Sequence, residues 1–183
     1  MKIPVLGMDP SLRNWGLAEA TLCLDTGILS TPVLSTIHTS ADDSKQVRQN
    51  SKDLQTAEEL AKGALAAARR AKVVFVEVPV GSQSARAMAS YGTCVGVLGA
   101  IRAEGIPLIE VTPLEVKTHF TGKKTATKEE MIKAALTFYP DANWPRHKGK
   151  VVAKAEHMAD AVASIHAGVH TPVFQQLMRL FAS

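Results

Sequence analysis

Residues 5–18, VLGMDPSLRNWGLA, carry the strongest indication of the fold. An apolar run ends in one carboxylate, Asp9, and Pro10-Ser11 interrupts the extended pattern before a second apolar run begins at Trp15. This pattern predicts two strands joined by a short turn, with Asp9 at the end of the first strand. Two roles are open for Asp9: a turn residue that caps the hairpin, or a metal ligand, because a carboxylate in an apolar strand is costly without a cation or hydrogen bonds.

Length and composition indicate a globular protein. The chain has 183 residues, of which 46% are hydrophobic, so we expect a single domain over residues 1–183. No apolar run is long enough to span a bilayer, and the N-terminal residues do not form a signal peptide, which predicts a cytoplasmic protein. The two cysteines, Cys23 and Cys94, form no CxxC pair and predict neither a zinc site nor a disulfide framework.

Positive charge is concentrated in one quarter of the chain. The net charge is +4, but residues 112–154 hold nine Lys or Arg against four acids, a net +5, and the remainder is slightly negative. This asymmetry predicts a face that binds a polyanion such as nucleic acid. A solvated, lysine-rich surface is the alternative interpretation.

Periodicity predicts an antiparallel meander followed by alternating helices and strands. The meander consists of strands at 2–9, 15–24 and 32–38, and a polar loop follows at 39–50. We then expect strands at 72–79 and 108–111, helices at 51–71, 85–104, 113–119, 128–139 and 153–167, a tail helix opening at Thr171-Pro172, and polar loops at 121–127 and 140–151. The many small residues of the helix at 85–104 suggest close packing on the sheet.

Further acids and a histidine fit a metal site with Asp9. Glu77 interrupts an apolar strand near its end, as Asp9 does, and ligand sites in open sheets favour that edge. His157 and Asp160 are three residues apart on a predicted helix and are therefore adjacent, although a solvated helix face would account for them alone. Hard oxygen and imidazole ligands suit Mg²⁺ or Mn²⁺, and a pair of such ions serves phosphodiester hydrolysis.

The order of these features resembles the ribonuclease H-like nucleases and, among them, the RuvC-type Holliday junction resolvases. The resemblance covers residues 2–170, and four stretches carry it: LGMDPS at 6–11, VFVE at 74–77, VTPLEVK at 111–117 followed by Gly122 and Lys128, and EHMADA at 156–161. It implies an α/β fold with a ribonuclease H-like mixed five-stranded sheet, an antiparallel meander followed by parallel strands, flanked by helices.

The resemblance also implies an activity and its residues. It implies a homodimeric endonuclease of recombination and repair that resolves four-way or branched DNA junctions with Mg²⁺, two ions in number and replaceable by Mn²⁺. Its catalytic metal ligands are Asp9, Glu77, His157 and Asp160, with Glu156 a weaker candidate. Lys117 and Lys128 match the phosphate-contacting lysines of the family, and the basic window adds Lys123, Lys124, Arg146, Lys148 and Lys150 as DNA-binding candidates. The small-residue helix near 85–100 is the expected dimer interface.

Two departures from the family pattern leave alternatives open. The segment 78–83 contains no aromatic residue, where the family commonly has one that stacks on bases, so base stacking and sequence preference are in question. The stretch 140–151 resembles an insertion, and its Trp144 either contacts DNA or packs under the loop.

Other functions remain as alternatives. A related nuclease would act on flaps, other branched DNA or RNA–DNA hybrids, whereas a junction-binding protein without catalysis would gain nothing from acids beside a polyanion. The actin-like ATPase fold shares an early Asp-bearing hairpin, but 183 residues are too few for its two lobes.

Overall fold

The computed structural model describes residues 1–40 and 46–182, without the side chains of residues 181 and 182. Its strands are β1 Lys2–Asp9, β2 Asn14–Cys23, β3 Val33–His38, β4 Val73–Glu77, β5 Leu108–Val111, β6 Arg146–His147 and β7 Lys150–Val151. Its helices are α1 Gln49–Ala68, α2 Ala85–Ala103, α3 Pro113–Thr121, α4 Lys128–Phe138, α5 Ala155–Gly168 and α6 Pro172–Ala182. None of the helices described is long and apolar enough to cross a membrane.

The main sheet has five strands in the order β3-β2-β1-β4-β5. The first three strands pair antiparallel, and β4 and β5 then pair parallel to β1, so the predicted fold class is confirmed. In the register of these strands Asp9 lies opposite Gly16, and Met8 pairs with Val76. Asp9 and Glu77 therefore end neighbouring parallel strands at the same edge of the sheet.

Helices cover both faces of this sheet. Leu6 and Met8 of β1 pack in the cluster formed with α1 and α2, whereas Val5 packs in the cluster formed with α3, α4, α5 and α6. Because side chains alternate along a strand, Gly7 and Asp9 point to the same face as Val5. That face carries α5, the helix that contains His157 and Asp160.

Local sequence signals account for the helices α3 and α4. The side chains of Thr112 and Thr127 each accept a hydrogen bond from the backbone N–H of the residue three positions on. In return, the carboxylates of Glu115 and Glu130 accept a hydrogen bond from the backbone N–H of the capping threonine. Such capping boxes satisfy backbone groups that the first helical turn leaves free. The cap at Thr127 with Glu130 was predicted, and it places Lys128 at the start of α4.

Two expectations about the loops require correction. Helix α1 begins at Gln49, inside the predicted loop at 39–50, of which residues 41–45 lie outside the described part of the chain. The predicted loop at 140–151 contains the antiparallel hairpin β6–β7, in which Arg146 pairs with Val151. Its turn uses Lys148 and Gly149 with φ of 48° and 78°, the left-handed pair of values that a two-residue hairpin requires.

The expected packing of the α2 glycines on the sheet is wrong. A Cβ atom added at Gly92, Gly96 or Gly99 would meet no atom within 4 Å, so these residues face open space. The buried side chains of α2 are Cys94, Val97, Leu98 and Ile101. The larger apolar side chains make the contact with the sheet, and the small residues form an exposed stripe.

Candidate metal centre and nucleic-acid interface

Two glycines allow α5 to lie directly on the strands that carry Asp9. A Cβ added at Gly16 would stand 2.0 Å from the carbonyl oxygen of His157, and one added at Gly7 would stand 1.9 Å from that of Ala161. Any larger residue at either position would push the helix away from the sheet. The sequence interpretation missed Gly16, although its position opposite Asp9 in the hairpin was a signal that could have identified it.

Asp9 and His157 are in direct contact although 148 positions separate them. Nδ1 of His157 and Oδ2 of Asp9 are 2.7 Å apart, a hydrogen-bonding distance. This bond raises the pKa of His157 above its ordinary value, against the opposing effect of burial. The other ring nitrogen, Nε2, lies 3.6 Å from a carboxylate oxygen of Glu156, so the imidazole stands between two acids.

Glu77 and Asp160 are partly buried acids near the same point. Burial, followed by the charge of Asp9, raises the pKa of Glu77 to about 7, while the charge of Lys117 acts in the opposite direction. Burial, followed by the charges of Asp9, Glu77 and Glu156, raises the pKa of Asp160 to about 8. Neither carboxyl group has a hydrogen-bond or ion-pair partner among the described residues.

The chemistry of this donor set fits a divalent cation. Asp9, Glu77 and Asp160 offer hard oxygens and His157 an imidazole, and mutual repulsion among buried acids is what a bound cation relieves. In the part of the chain that the structure describes, no three His, Cys, Asp or Glu side chains form a group that could hold a metal ion as they stand. The side chains of the cluster would therefore have to turn towards one point for an ion to be held.

The predicted DNA-binding cations fall into two groups. Lys123 pairs with Glu130 at 2.6 Å, and Lys128 pairs with Glu156 at 3.0 Å. The others have no carboxylate within ion-pair distance among the described residues, and these are Lys117, Lys124, Arg146, Lys148 and Lys150. Because a paired cation is already partly neutralised, the second group is the stronger candidate for phosphate contact.

Trp144 packs under the loop, which settles that alternative against DNA contact. The side chain is 5% exposed, and its Nε1 donates to the carbonyl of Tyr139 at 2.7 Å. The neighbouring Asn143 forms two hydrogen bonds of 2.8 Å with the backbone of Leu34 in β3. These contacts anchor the base of the hairpin β6–β7, whose strand and turn residues from 146 to 150 are exposed.

Comparison with solved structures identifies the fold. The chain is similar to a Thermus thermophilus RuvC structure with a TM-score of 0.62 at 21% identity, covering 91% of this chain and 92% of that one. It is similar to T. thermophilus RuvC in complex with a Holliday junction substrate with a TM-score of 0.61 at 20% identity, covering 90% and 92%. The yeast mitochondrial Holliday junction resolvase Ydc2 matches at a TM-score of 0.49 and 13% identity, over 95% of this chain and 85% of that one, too low to support an argument.

The mixed sheet and its helices define the fold class as ribonuclease H-like. Within that class, the architecture is that of the RuvC structures, as the sequence predicted. No protein-family model matches the chain, and no curated protein matches its sequence. The similarity thus rests on the arrangement of the elements in space.

Proposed function

We propose that this protein is a metal-dependent endonuclease that cuts branched DNA, four-way junctions in particular, in recombination or repair. The observation that carries the proposal is the cluster of Asp9, Glu77, His157 and Asp160 at one edge of a RuvC-like sheet. Two of its carboxyls are partly buried and have no hydrogen-bond or ion-pair partner among the described residues. Strongly perturbed acids that share a site are typical of functional centres. The solved complex of T. thermophilus RuvC with a Holliday junction substrate supports the choice of DNA.

The four side chains of the cluster would hold Mg²⁺, two ions in number, or Mn²⁺ in its place. Bound ions of this kind activate a water and stabilise charge on the attacking and leaving oxygens. Asp9 keeps the His157 ring in place through their 2.7 Å hydrogen bond until the ligands turn. The closely packed helix α5 holds His157 and Asp160 beside the strand ends. We expect cleavage products with 5′-phosphate and 3′-hydroxyl ends.

The DNA backbone would be held by cations around this cluster. Lys117 acts electrostatically on Glu77, which puts its charge near the acids, and Lys128 is tied to Glu156 beside His157. Phosphate contacts of this kind position the DNA without reading its sequence. Arg146, Lys148 and Lys150 would extend the surface along the hairpin.

A homodimer would present two such sites to the symmetric strands of a junction. The exposed stripe of α2, which contains Gly92, Gly96 and Gly99, would allow close approach of a second copy. The stripe continues through the exposed apolar side chains of Met88 and Val95. Sedimentation of the protein with and without Gly96→Lys would test this interface, since a buried lysine there should give the monomer.

The test of the proposed function is a cleavage assay with one enzyme and four labelled substrates. These are a four-way junction, a flap, an RNA–DNA hybrid and a linear duplex, each with Mg²⁺, with Mn²⁺ and with EDTA. We expect the junction to be cut fastest, with both metals and not with EDTA. Faster cutting of the hybrid or the flap would assign the chain to another ribonuclease H-like activity. Tight junction binding without cutting would indicate a binding protein.

A further inference from the structure

Two arginines on the α1–α2 side of the sheet have no acidic partner among the described residues. They are Arg13, in the turn between β1 and β2, and Arg48, at the N-cap of α1. The other arginines in or directly after α1 and α2 each pair with a carboxylate, and these are Arg69, Arg70, Arg86 and Arg102. Arg13 and Arg48 therefore have charge available for an anion from outside the chain, and a guanidinium fits the oxygens of a phosphate with two parallel hydrogen bonds.

The backbone around Arg13 is fixed, whereas its guanidinium has an unpaired donor. Leu12 packs in the cluster formed with α1 and α2, and its carbonyl accepts a 2.6 Å hydrogen bond from the hydroxyl of Thr39. Thr39, which is 1% exposed, also donates its amide to the carbonyl of Arg13 at 3.2 Å. Nη1 of Arg13 is buried and has no hydrogen-bond partner among the described residues. A buried charged donor without a partner is costly, and an anion at this point would remove that cost.

The turn that carries Arg13 and the start of α1 lie at the sheet edge where the carboxylate cluster lies. The turn directly follows Asp9. Asp53, in the second turn of α1, pairs at 3.1 Å with Arg86 at the start of α2, the helix that follows Glu77. The hydrogen bond from Arg86 is the main cause of the lowered pKa of Asp53, and the charge of Arg13 adds to it, which puts the two arginines near the same point. Asp53 is already paired, so the charge of Arg13 stays available.

The first turn of α1 lacks the negative charge that often accompanies a helix start. Arg48 stands at the N-cap position without a side-chain cap hydrogen bond, and no acid follows in the first turn. The free N–H groups and the helix dipole give this end a partial positive charge of their own. Helices α3 and α4, by contrast, each begin with a threonine cap and a glutamate. An anion beside Arg48 would offset both positive charges, in agreement with the unpaired donor of Arg13.

We propose that Arg13 and Arg48 hold phosphates of the DNA backbone on the α1–α2 side of the carboxylate cluster. Lys117 and Lys128 belong to α3 and α4, which pack on the opposite face of the sheet. The two pairs of cations therefore contact different backbone segments, one on each side of the cluster. A branched substrate offers such segments, because several strands meet at one point. This inference rests on the proposed function and adds a second backbone contact to it.

The first experiment measures binding of a four-way junction in EDTA at a series of salt concentrations. Arg13→Ala and Arg48→Ala should each weaken binding about fivefold and lower the salt slope by about one, because each removes one phosphate contact. Arg48 is exposed, so its variant tests the same surface without altering a buried group. Arg179→Ala, at an exposed position on α6, is the matched control and should keep the wild-type affinity and slope. Wild-type affinity and slope in both Arg13→Ala and Arg48→Ala would overturn the proposal.

The second experiment locates the contacts by ethylating single phosphates of the junction and measuring which ones weaken binding. A phosphate held by Arg13 should interfere in the wild type and no longer in Arg13→Ala. The phosphate that Lys117→Ala releases should be a different one, and release of the same phosphate by both variants would contradict contacts on two sides. An unchanged pattern in Arg13→Ala, with a wild type that cuts the junction, would reject this contact and keep the proposed function. No binding and no cutting by the wild type would reject both.

Discussion

Two acids on the α5 side of the sheet, Glu77 and Asp160, differ from the acids on the α1–α2 side. On the side of α1 and α2, Asp53 pairs with Arg86 at 3.1 Å. Arg69 is paired with Glu104 at the ends of the same two helices, and Arg70 with Glu19 at 2.7 Å. On the side of α5, Glu77 and Asp160 form no ion pair with a described residue, and burial raises the pKa of both carboxyl groups.

The difference distinguishes ion pairs that stabilise the protein surface from unpaired acids that belong to a candidate functional site. An exposed ion pair contributes roughly 0–1 kcal/mol to stability and satisfies both charges. A buried acid without a partner is destabilising, and its pKa rises as a result. Folding alone would favour apolar residues at positions 77 and 160. Their carboxyls therefore support a function that needs negative charge at this edge of the sheet.

The largest expected effect is on cleavage. Asp9→Asn or Asp160→Asn should lower the rate of junction cleavage by at least about a hundredfold, because each removes a charged ligand from the proposed centre. Binding measured in EDTA should change little. Asp53→Asn is the matched control from the other face, and it should cut at the wild-type rate. Normal cleavage by Asp9→Asn and Asp160→Asn would contradict a catalytic role for the acids on the α5 side of the sheet.

Metal binding should stabilise the protein through the same acids. At a Mg²⁺ concentration near 100 times its dissociation constant, the free energy of unfolding should rise by about 2.7 kcal/mol. Calorimetry with Mg²⁺ and with EDTA measures this shift without any substrate. The shift should disappear in Asp160→Asn and persist in Asp53→Asn. An equal shift in both variants would place the ion outside the cluster.

Gly16→Ala should destabilise the protein by about 1–3 kcal/mol, because the new methyl group overlaps the carbonyl of His157. Urea unfolding gives the value. The control is Gly92→Ala on α2, where nothing lies within 4 Å, made in the Gly96→Lys variant that should be monomeric, and there we expect a gain of about 0.5–1 kcal/mol from helix propensity. A loss from Gly92→Ala in the otherwise wild-type protein would agree with an α2 stripe that a second copy covers in solution. A neutral effect at Gly16 would contradict close packing of α5.

The smallest expected effect is a pH dependence of stability in EDTA. The folded chain raises the pKa of Asp160 to about 8 and that of Glu77 to about 7, and it also raises the pKa of His157. It therefore holds more protons than the unfolded chain between about pH 4 and 8. The free energy of unfolding should fall across this range by about 1 kcal/mol, less than the full pKa shifts would give, because solvent screens both partly exposed groups.

Asp160→Asn tests which group is responsible. In this variant the free energy of unfolding should depend less on pH, and the protein should be more stable than the wild type above pH 8. Asp53 provides the opposite sign: Arg86 lowers its pKa, so its contribution is present above about pH 4 and lost on acidification. Thermal unfolding at a series of pH values measures both. A stability that rises from pH 5 to 8 would contradict the burial of unpaired acids.

Much of the fold could be predicted because it depends on local pattern. Residues 2–9 and 108–111 were predicted as strands with the observed bounds, and the cap at Thr127 correctly started α4. The hairpin β6–β7 was missed because its two-residue strands are too short for periodicity, although Lys148-Gly149 suits its turn. The α2 glycines were misjudged because small size permits close packing without determining which face is packed.

The proposed site was also partly predictable. An acid that interrupts an apolar strand is visible in the sequence, as is a pair three residues apart on a helix, and the structure brings these four residues to one edge. Their role as metal ligands stays a prediction. The sequence did not indicate that Lys128 would be tied to Glu156, or that Gly16 would lie against the backbone of His157.

The order of the elements and the position of each acid can be predicted from the amino-acid sequence, because periodicity, caps and strand-ending carboxylates are properties of neighbouring residues. Which charges remain unpaired and which aromatic residue is buried depends on the packing of distant elements. The hydrogen bond between Asp9 and His157 and the bonds between Leu34 and Asn143 join residues more than 100 positions apart. Such contacts depend on how α5 and the hairpin lie against the sheet, and no local pattern contains that information.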